Sequence, residues 1–390
     1  MRYIFTAGSF PNLSYAELRS VLETFGYSPD SVKKFSEKIF IVNQKEITDE
    51  VVLRIFQRLG GFTRVGKEIE DLDTFLSNFS DTSRVVFGVS VISEVKDRKD
   101  REIIEKLSKQ IKKFFVQTEI SCRFILPRKT ELNAAQVTKN QMLEKGFELV
   151  IFKNREEEIY SQTIAVQDIE SFTKMDMGRP NVDVDMGTLP PKLARMMVNF
   201  SQIKDDGVIW DPFCGSGTIL LESLVSGINV LGSDIDEKAI HFSEENIKWI
   251  ADKGFSQDVK YDLFQLDILN PDGKIVNEIK NTGVDAVVCE PYMGPPQRRY
   301  MEDRKAYKLL DGVKQLYIGL FEVLKKVAHR DFRVVLVIPS YKTRDGWKTL
   351  PLSEIVGKDW ELENKKHGRD LKWKRNNSII MRNIFILTKK

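Results

Sequence analysis

The sequence is poor in the residues that build metal sites and disulfides. Among 390 residues there are three cysteines and three histidines. The cysteines, Cys122, Cys214 and Cys289, are odd in number and far apart, which fits neither a disulfide framework nor a zinc site. No two histidines have the spacing that places two ligands on one helix face. We therefore expect no metal and a reducing, cytoplasmic compartment.

Long apolar runs and a strong net charge are also missing. The longest strand-like run, residues 334–338, is far shorter than the roughly 20 residues that a membrane helix needs, and residues 1–6 turn polar too early for a signal peptide. The net charge is only +3, so affinity for a nucleic acid would come from local patches. With 42% hydrophobic residues, the chain can bury substantial cores.

The apolar pattern divides the chain into four segments. Residues 1–75 are predicted as an α+β domain of ferredoxin-like type, whose first helix begins at a capping box with Ser14 at the N-cap and Glu17 three residues later. Residues 76–172 are predicted as a second α+β domain, with a helix over 134–144. Residues 173–192 are predicted as a linker, and residues 193–390 as the third domain.

The third domain has longer units with fully apolar strands, predicted at residues 207–210, 229–232, 259–266, 284–288 and 333–338. Apolar strands separated by helices predict a parallel sheet covered on both faces. Residues 370–373 and 378–387 predict a terminal hairpin around Asn376 and Asn377. The expected fold class is a doubly wound α/β, Rossmann-like sheet that ends in a β-hairpin.

The first strand of this domain runs into DPFCGSGT, residues 211–218, ahead of a helix. Glycines at a strand-to-helix turn let the backbone approach a ligand, which then lies at the carboxyl ends of the strands. Leu220 replaces the third glycine of a dinucleotide loop, and the Gly-Lys-Ser/Thr of a P-loop is missing. The candidate cofactor-binding residues of this loop are Asp211, Pro212, Phe213, Cys214, Gly215, Gly217 and Thr218.

The second strand ends in GSDID, residues 232–236. The Asp234 carboxylate at a strand end can accept hydrogen bonds from both ribose hydroxyls of a nucleoside, and Ile235 is assigned to the same site. A nucleoside site without a phosphate loop suggests S-adenosylmethionine. Asp267, after the third strand, is interpreted either as an acceptor for the adenine amine or as a helix cap.

The fourth strand runs into VVCEPYMGPP, residues 287–296. A strand followed by an acid, a proline and an aromatic residue is typical of methyltransferases that act on exocyclic amines. Glu290 and the Pro291 carbonyl would accept the amine hydrogens, and the Tyr292 ring would stack on the base. The alternative interpretation, a charged turn that ends a strand, is disfavoured because the glycine loop and Asp234 precede it in order.

Basic residues cluster in two places. One set lies in the second domain, and it is interpreted either as a solvated surface or as an RNA-binding one. The other begins just after the fourth strand and would contact phosphates beside the site. The candidate RNA-binding residues are Lys106, Lys109, Lys112, Lys113, Arg123, Arg128, Lys129, Arg298 and Arg299.

Several motifs resemble those of tRNA guanine-N2 methyltransferases that join a THUMP-containing RNA-binding half to a class I methyltransferase domain. They are MGRPNVDVDMGTLPPKLARMMVNFS at 177–201, DPFCGSGTILLES at 211–223, GSDID at 232–236 and the segment from Asn246 to Trp249. The resemblance implies a THUMP-like domain at 76–172, tRNA as the partner and a guanine amine of the D-arm region as the acceptor. It also implies that the basic residues of the second domain contact the acceptor stem.

The chain departs from the family's usual Asp-Pro-Pro-Tyr, since it has Glu290 for the acid and a single proline before Tyr292. The extra methylene of Glu adds about 1.5 Å. Two other functions therefore stay open, an adenine-N6 methyltransferase acting on RNA or DNA and a catalytically silent RNA-binding subunit. The sequence also leaves open the oligomeric state and the need for a small activator subunit, which some relatives have.

Overall fold

The computed structural model describes residues 2–94, 97, 99–182, 189–255, 260–294, 299–367 and 370–390. Two units are present, one of Met1–Ser14 and Ser28–Ser171 and the other of Tyr15–Tyr27 and Phe172–Lys390. In the described ranges, each helix is either too short or too polar to cross a lipid bilayer.

The first unit is built on eight strands. The strands are β1 (Arg2–Ala7), β2 (Val32–Lys34), β3 (Ile39–Asn43), β4 (Phe62–Glu68), β5 (Arg84–Ser93), β6 (Ser121–Ile125), β7 (Gly146–Lys153) and β8 (Glu158–Val166). The helices up to residue 173 are α1 (Pro11–Thr24), α2 (Asp49–Arg58), α3 (Leu72–Ser77), α4 (Lys99–Gln117), α5 (Ala134–Lys139), α6 (Met142–Lys145) and α7 (Ile169–Thr173).

These strands form one sheet in the order β2-β3-β1-β4-β8-β7-β5-β6. The segments 1–75 and 76–172 therefore share a sheet, and their division into two domains stays a prediction. A buried ion pair joins them, because Arg64 on β4 donates to the Glu148 carboxylate on β7 at 2.9 Å. Glu148 also accepts from the hydroxyls of Ser90 at 2.7 Å and Thr163 at 2.6 Å, so the buried charge is satisfied on several sides.

Two local predictions in this unit are wrong. Helix α1 begins at Pro11, so Ser14 lies inside the helix, where its hydroxyl donates to the Gly61 carbonyl at 2.8 Å instead of capping. A proline in the first turn is a stronger start signal than the capping box that follows it. The helix expected over 134–144 is broken between α5 and α6, because Gln141 has a left-handed backbone with φ of 51°.

The second unit contains residues 15–24 of α1 and the elements after residue 173. Its strands are β9 (Val208–Asp211), β10 (Asn229–Asp234), β11 (Tyr261–Gln265), β12 (Ala286–Cys289), β13 (Arg333–Thr343), β14 (Gly346–Thr349), β15 (Trp360–Leu362), β16 (Lys372–Trp373) and β17 (Ile380–Lys389). Its helices are α8 (Pro191–Phe200), α9 (Thr218–Val225), α10 (Glu237–Asp252), α11 (Gly273–Thr282) and α12 (Asp303–Val327).

The sheet order is β11-β10-β9-β12-β13-β17-β15, with β14 beside β13 and β16 beside β17. The first five strands are parallel, and β17 runs antiparallel to β13. Apolar clusters lie on both faces, one packed by α11 and α12 and the other by α9 and α10. The expected α/β sheet with a terminal hairpin is confirmed, the hairpin being formed by β16 and β17.

His367 is a buried base in this unit, at the end of a short 3-10 helix, Glu363–His367. Burial lowers its pKa to about 4, and the guanidinium groups of Arg19 and Arg333 act in the same direction. The Phe200 ring lies 6.4 Å from the imidazole, centroid to centroid. The folded state therefore holds His367 neutral where the unfolded chain would protonate it.

Because the folded pKa of His367 is depressed, its neutral form favours folding fully above about pH 6.5, and this contribution is lost as the pH falls toward 4. The whole shift corresponds to at most about 3 kcal/mol. We expect His367→Gln to reduce the loss of Tm between pH 7 and pH 4.5. Thermal unfolding of both proteins across this range measures the effect, and parallel Tm curves would contradict it.

Candidate methyltransferase site

A cavity of about 400 Å³ lies at the carboxyl ends of the parallel strands of the second unit. It is lined by the turn after β9, the ends of β10 and β12 and the segment after β11. These are the edges at which open α/β sheets bind ligands. The structure thus brings together the residues singled out in the glycine loop, the GSDID segment, Asp267 and the Glu-Pro-Tyr segment.

The glycine loop joins β9 to α9 and depends on two left-handed glycines. Gly215 has φ of +53° and Gly217 has φ of +82°. A Cβ on Gly217 would lie 2.9 Å from the Ser243 hydroxyl of α10, so only glycine fits there. The turn is also fixed at Cys214, whose amide donates to the Ser233 carbonyl at 2.9 Å.

Two residues that hold this loop were quoted in the sequence only as parts of longer motifs. Asn246 of α10 donates to the Ser216 carbonyl at 2.9 Å and to the Asn181 carbonyl at 2.9 Å. The buried Arg179 donates to the Thr218 hydroxyl at 2.8 Å. The segment predicted as a linker therefore supports the glycine loop directly through the Arg179 side chain, and its Asn181 carbonyl binds the Asn246 side chain that also holds the loop.

Asp234 ends β10 and is largely buried. Its carboxylate accepts from the Gly215 amide at 2.9 Å and from the Asp236 amide at 3.1 Å. Burial raises the pKa of Asp234. Since a carboxylate offers about four acceptor positions, two are left for a ligand.

Asp211 is fully buried at the end of β9, where it accepts from the Phe213 amide at 3.1 Å. Burial raises the pKa of Asp211 well above its usual range, and the Asp234 and Glu290 carboxylates add to this shift. The carboxylates of Asp211, Asp234 and Glu290 thus face one cavity, which Asp236 and Asp267 also line. Such a wall favours a cationic ligand, since a positive charge relieves their repulsion.

Asp267 lies on the exposed rim of the cavity. Its carboxylate accepts from the Asn270 side chain and from the Leu269 amide, each at 2.9 Å, and these bonds lower its pKa. The helix-cap interpretation is wrong, because these bonds close a turn at residues 267–270 and the N-cap of α11 is Asp272. The contact with the adenine amine stays a prediction.

Glu290, just after β12, forms a buried ion pair with Arg382 of β17. The Arg382 Nε donates to Glu290 Oε1 at 2.6 Å and Nη2 donates to Oε2 at 3.0 Å. The Glu290 side chain is 9% exposed and the Arg382 side chain is 11% exposed. On its other side the guanidinium lies over the Trp373 ring, 5.0 Å from the centroid. Sequence reasoning missed Arg382, because nothing in the local pattern links it to an acid 92 positions earlier.

The residues after Glu290 divide between the interior and the surface. Pro291 is buried, whereas Tyr292 is 52% exposed at the cavity mouth. The Met293 carbonyl accepts from the buried Tyr341 hydroxyl at 2.8 Å, and Gly294 has φ of +81°. These contacts fix the course of the loop up to residue 294.

Two thiols near the cavity are poor nucleophiles. Burial raises the pKa of Cys214 and of Cys289 well above the usual range, and the Asp211 carboxylate adds to both shifts. Cys289 points away from solvent within the core that packs α12. Both therefore contribute packing.

The basic residues predicted for RNA binding are exposed where the structure describes them. In the first unit they lie on α4, on β6 and after it, and Lys112 Nζ is 5.9 Å from the Phe124 centroid. Arg299 is exposed in the second unit. Arg298 lies outside the described residues.

Two family models match parts of this chain. A family model described as an RMKL-like methyltransferase domain matches residues 181–345, and one described as a DNA methylase matches residues 93–245. The crystal structure of TrmN from Thermus thermophilus has a TM-score of 0.52, with 14% identity over 100% of both chains, which shows a shared fold.

Curated relatives share sequence with this chain. The tRNA (guanine(10)-N2)-dimethyltransferase of Methanocaldococcus jannaschii is 25% identical over 78% of this chain and 86% of its own length. The enzyme of that name from Methanothermobacter thermautotrophicus is 34% identical over 28% of each chain. The mouse tRNA (guanine(10)-N(2))-methyltransferase TRMT11 is 30% identical over 29% of this chain and 25% of its own. The resemblance stated from the sequence is thus confirmed: residues 181–345 match the RMKL-like methyltransferase model, and the chain is similar to enzymes named as tRNA guanine-N2 methyltransferases.

Proposed function

We propose that this protein transfers a methyl group to the exocyclic N2 amine of a guanosine in tRNA. The observation that carries the proposal is the position of Glu290, Pro291 and Tyr292 in the wall of the cavity that the glycine loop also lines. The relatives are named for guanine 10 of tRNA, so this position is the first to test.

The donor set of the cavity fits S-adenosylmethionine. This cofactor supplies a methyl group on a cationic sulfonium and also carries a charged amine and a ribose. Asp211 and Asp234 face the cavity as carboxylates that a cation stabilises, and Asp234 keeps acceptor positions for ribose hydroxyls. The left-handed Gly215 and Gly217 keep the loop free of side chains where a ligand approaches. Pro212, Phe213, Cys214, Thr218 and Ile235 complete this part of the wall, with Asp267 at the rim.

Glu290 orients the acceptor amine, and Arg382 orients Glu290. The guanidinium occupies one acceptor position on each carboxylate oxygen, which leaves others for an amine hydrogen. The Pro291 carbonyl takes the second amine hydrogen, so that the nitrogen lone pair is directed at the methyl group. The longer Glu side chain is thus matched by a partner that fixes its end.

Tyr292 and the basic residues hold the RNA. The Tyr292 ring is exposed at the cavity mouth, where it can stack on an extruded base. The ammonium and guanidinium groups of α4, β6 and the residues after it provide phosphate contacts in the first unit. Arg299 provides one in the second unit, and we assign Arg298 the same role from the sequence.

The adenine-N6 alternative has the DNA methylase match in its favour. That match ends at residue 245, before Glu290, so it carries no information about the acceptor segment. A silent RNA-binding subunit would have no use for three carboxylates around a nucleoside-sized cavity. The relatives' names favour guanine over both.

The decisive assay uses purified protein, labelled S-adenosylmethionine and unmodified tRNA, followed by digestion and mass spectrometry of the nucleosides. We expect N2-methylguanosine at position 10. N6-methyladenosine would replace the proposal with the adenine alternative. If the protein binds RNA but neither transfers a methyl group nor binds S-adenosylmethionine, the result would favour the catalytically silent RNA-binding subunit.

Asp234→Asn tests the ribose contact. The amide oxygen can still accept from the Gly215 amide, so that contact with the loop is kept, but the bond to the Asp236 amide and the charged acceptor are lost. We expect S-adenosylmethionine to bind about 10-fold or more weakly by calorimetry. Asp262→Asn, on the exposed surface of the neighbouring strand β11, removes the same charge and should bind normally. Equal affinity for the Asp234 variant and the wild type would remove this residue from the site.

Arg382→Gln tests the orienting pair. We expect kcat to fall by about 10- to 100-fold, with the KM for S-adenosylmethionine nearly unchanged and with partial rescue by Arg382→Lys. The single variant should also lose up to about 3 kcal/mol of stability, because it leaves a buried acid unpaired. The double variant Glu290→Gln with Arg382→Gln should regain Tm without regaining turnover.

The matched control is Arg375→Gln. Arg375 is exposed and lies over the same Trp373 ring, 5.5 Å from its centroid, while Arg382 is the guanidinium bonded to Glu290. The Arg375→Gln variant should keep wild-type kcat and Tm. A double variant that recovers turnover together with Tm would show that the pair only stabilises the fold.

A further inference from the structure

Exposed aromatic rings alternate with lysines along the β13–β14 hairpin. The row also includes one residue that precedes α12 and one that follows β16. Tyr300 is 57% exposed and Trp347 is 36% exposed. Lys342 Nζ lies 5.1 Å from the Tyr300 centroid, and Lys374 Nζ lies 5.6 Å from the Trp347 centroid. We call these four residues the cation–aromatic ladder.

The hairpin register makes the ladder continuous. Lys342 on β13 is directly opposite Trp347 on β14 in an antiparallel pair, so both side chains project from the same face of the hairpin. The row therefore runs Tyr300, Lys342, Trp347, Lys374. The opposite pair of the hairpin, Tyr341 and Lys348, faces the other way, where Tyr341 is buried.

The ladder lies beside the methyl-transfer site. Tyr341, adjacent to Lys342, donates to the Met293 carbonyl three residues after Glu290. At the other end, Trp373 is adjacent to Lys374 and packs against the Arg382 guanidinium that holds Glu290. Met301, adjacent to Tyr300, is bridged to Thr343 on β13. Lys342 is thus adjacent to a residue that contacts the segment after Glu290, and Lys374 is adjacent to a residue that packs on the partner of Glu290.

We propose that the cation–aromatic ladder binds the unpaired RNA strand next to the target guanosine, an inference that rests on the proposed function. Exposed rings of Tyr and Trp accept stacked bases, and ammonium groups between them accept the intervening phosphates. A base whose N2 amine is methylated must leave its stack, and the strand on either side must then be held. The ladder offers alternating stacking and charge at the edge where that strand leaves the cavity.

Charge distinguishes this strand from an apolar partner. The exposed Arg299 and Arg344 flank the ladder, while Lys348 is already paired with Asp303 at 2.8 Å on the other face of the hairpin. Within the described ranges, the cations on the side of the exposed rings form no ion pair with a carboxylate. An acidic peptide would match the charges but would leave the rings without stacked partners.

The test uses two ladder variants, Trp347→Ala and the double variant Lys342→Gln with Lys374→Gln. We expect Trp347→Ala to raise the KM for tRNA, and the Kd for a labelled single-stranded oligoribonucleotide of about 12 nucleotides, by about 10-fold. The lysine variant should lower the slope of log Kd against log salt by about 1, since about 0.7 is lost per phosphate contact to a single strand. Trp347→Phe should bind nearly as the wild type does.

The matched control is Lys325→Gln with Lys326→Gln, which removes the same charge from the far end of α12, about 30 Å from its start. It should leave KM and the salt slope unchanged. Affinity for S-adenosylmethionine should be unchanged in every variant, and its loss in the ladder variants would show a structural role instead.

The outcomes separate this inference from the proposed function. If the wild type methylates tRNA but the ladder variants keep its KM and salt slope, the ladder is not an RNA-binding surface. If the wild type methylates no tRNA while oligoribonucleotide binding still depends on Trp347, the ladder stands and the proposed function fails. Equally strong binding of poly-glutamate that also requires Trp347 would overturn the assignment to RNA.

Discussion

The clustering of carboxylates at one sheet edge is the constraint on which the second unit depends. Asp211, Asp234 and Glu290 face the same cavity, and burial makes their shared charge costly. Different contacts offset the cost of burying each carboxylate. Asp234 is bonded to the amides of Gly215 and Asp236, whereas Glu290 has the full charge of Arg382. A cationic ligand such as a sulfonium cofactor would relieve the repulsion among these carboxylates.

This charge arrangement also explains why the acid is Glu and not Asp. The end of the Glu290 side chain is fixed by two hydrogen bonds from a guanidinium that is itself packed on Trp373. A longer acid without such a partner would have an additional rotatable bond and a poorly defined carboxylate. In this chain Arg382 on β17 restricts the Glu290 side chain, which has one more rotatable bond than Asp. The replacement of the motif's Asp by Glu290 is therefore linked to the ion pair that Glu290 forms with Arg382.

The sequence was sufficient for the parts of the site that depend on local pattern. The sequence predicts five strands, the glycine-rich turn after β9 and the carboxylate at the end of β10 in their correct order, because strand periodicity and turn chemistry are local. Arg382, Arg179 and Asn246 were not assigned roles, because each acts on a residue far away in the chain and their own neighbourhoods carry no signal. The break at Gln141 was missed for a different reason, since a left-handed non-glycine residue follows no apolar pattern. The single sheet of the first unit was also not expected, since the pairing of β4 with β8 joins residues about 100 positions apart.

The position of β17 has a consequence for the order in which the second unit folds. This strand inserts between β13 and β15 and brings Arg382 to Glu290, 92 residues earlier in the chain. Until that insertion, a sheet that has already assembled β9 to β13 would bury an acid without its counter-charge, which is strongly unfavourable. Partly assembled sheets are thereby disfavoured relative to the unfolded chain and the complete domain. The Glu290–Arg382 ion pair therefore makes the folding of the sheet more cooperative.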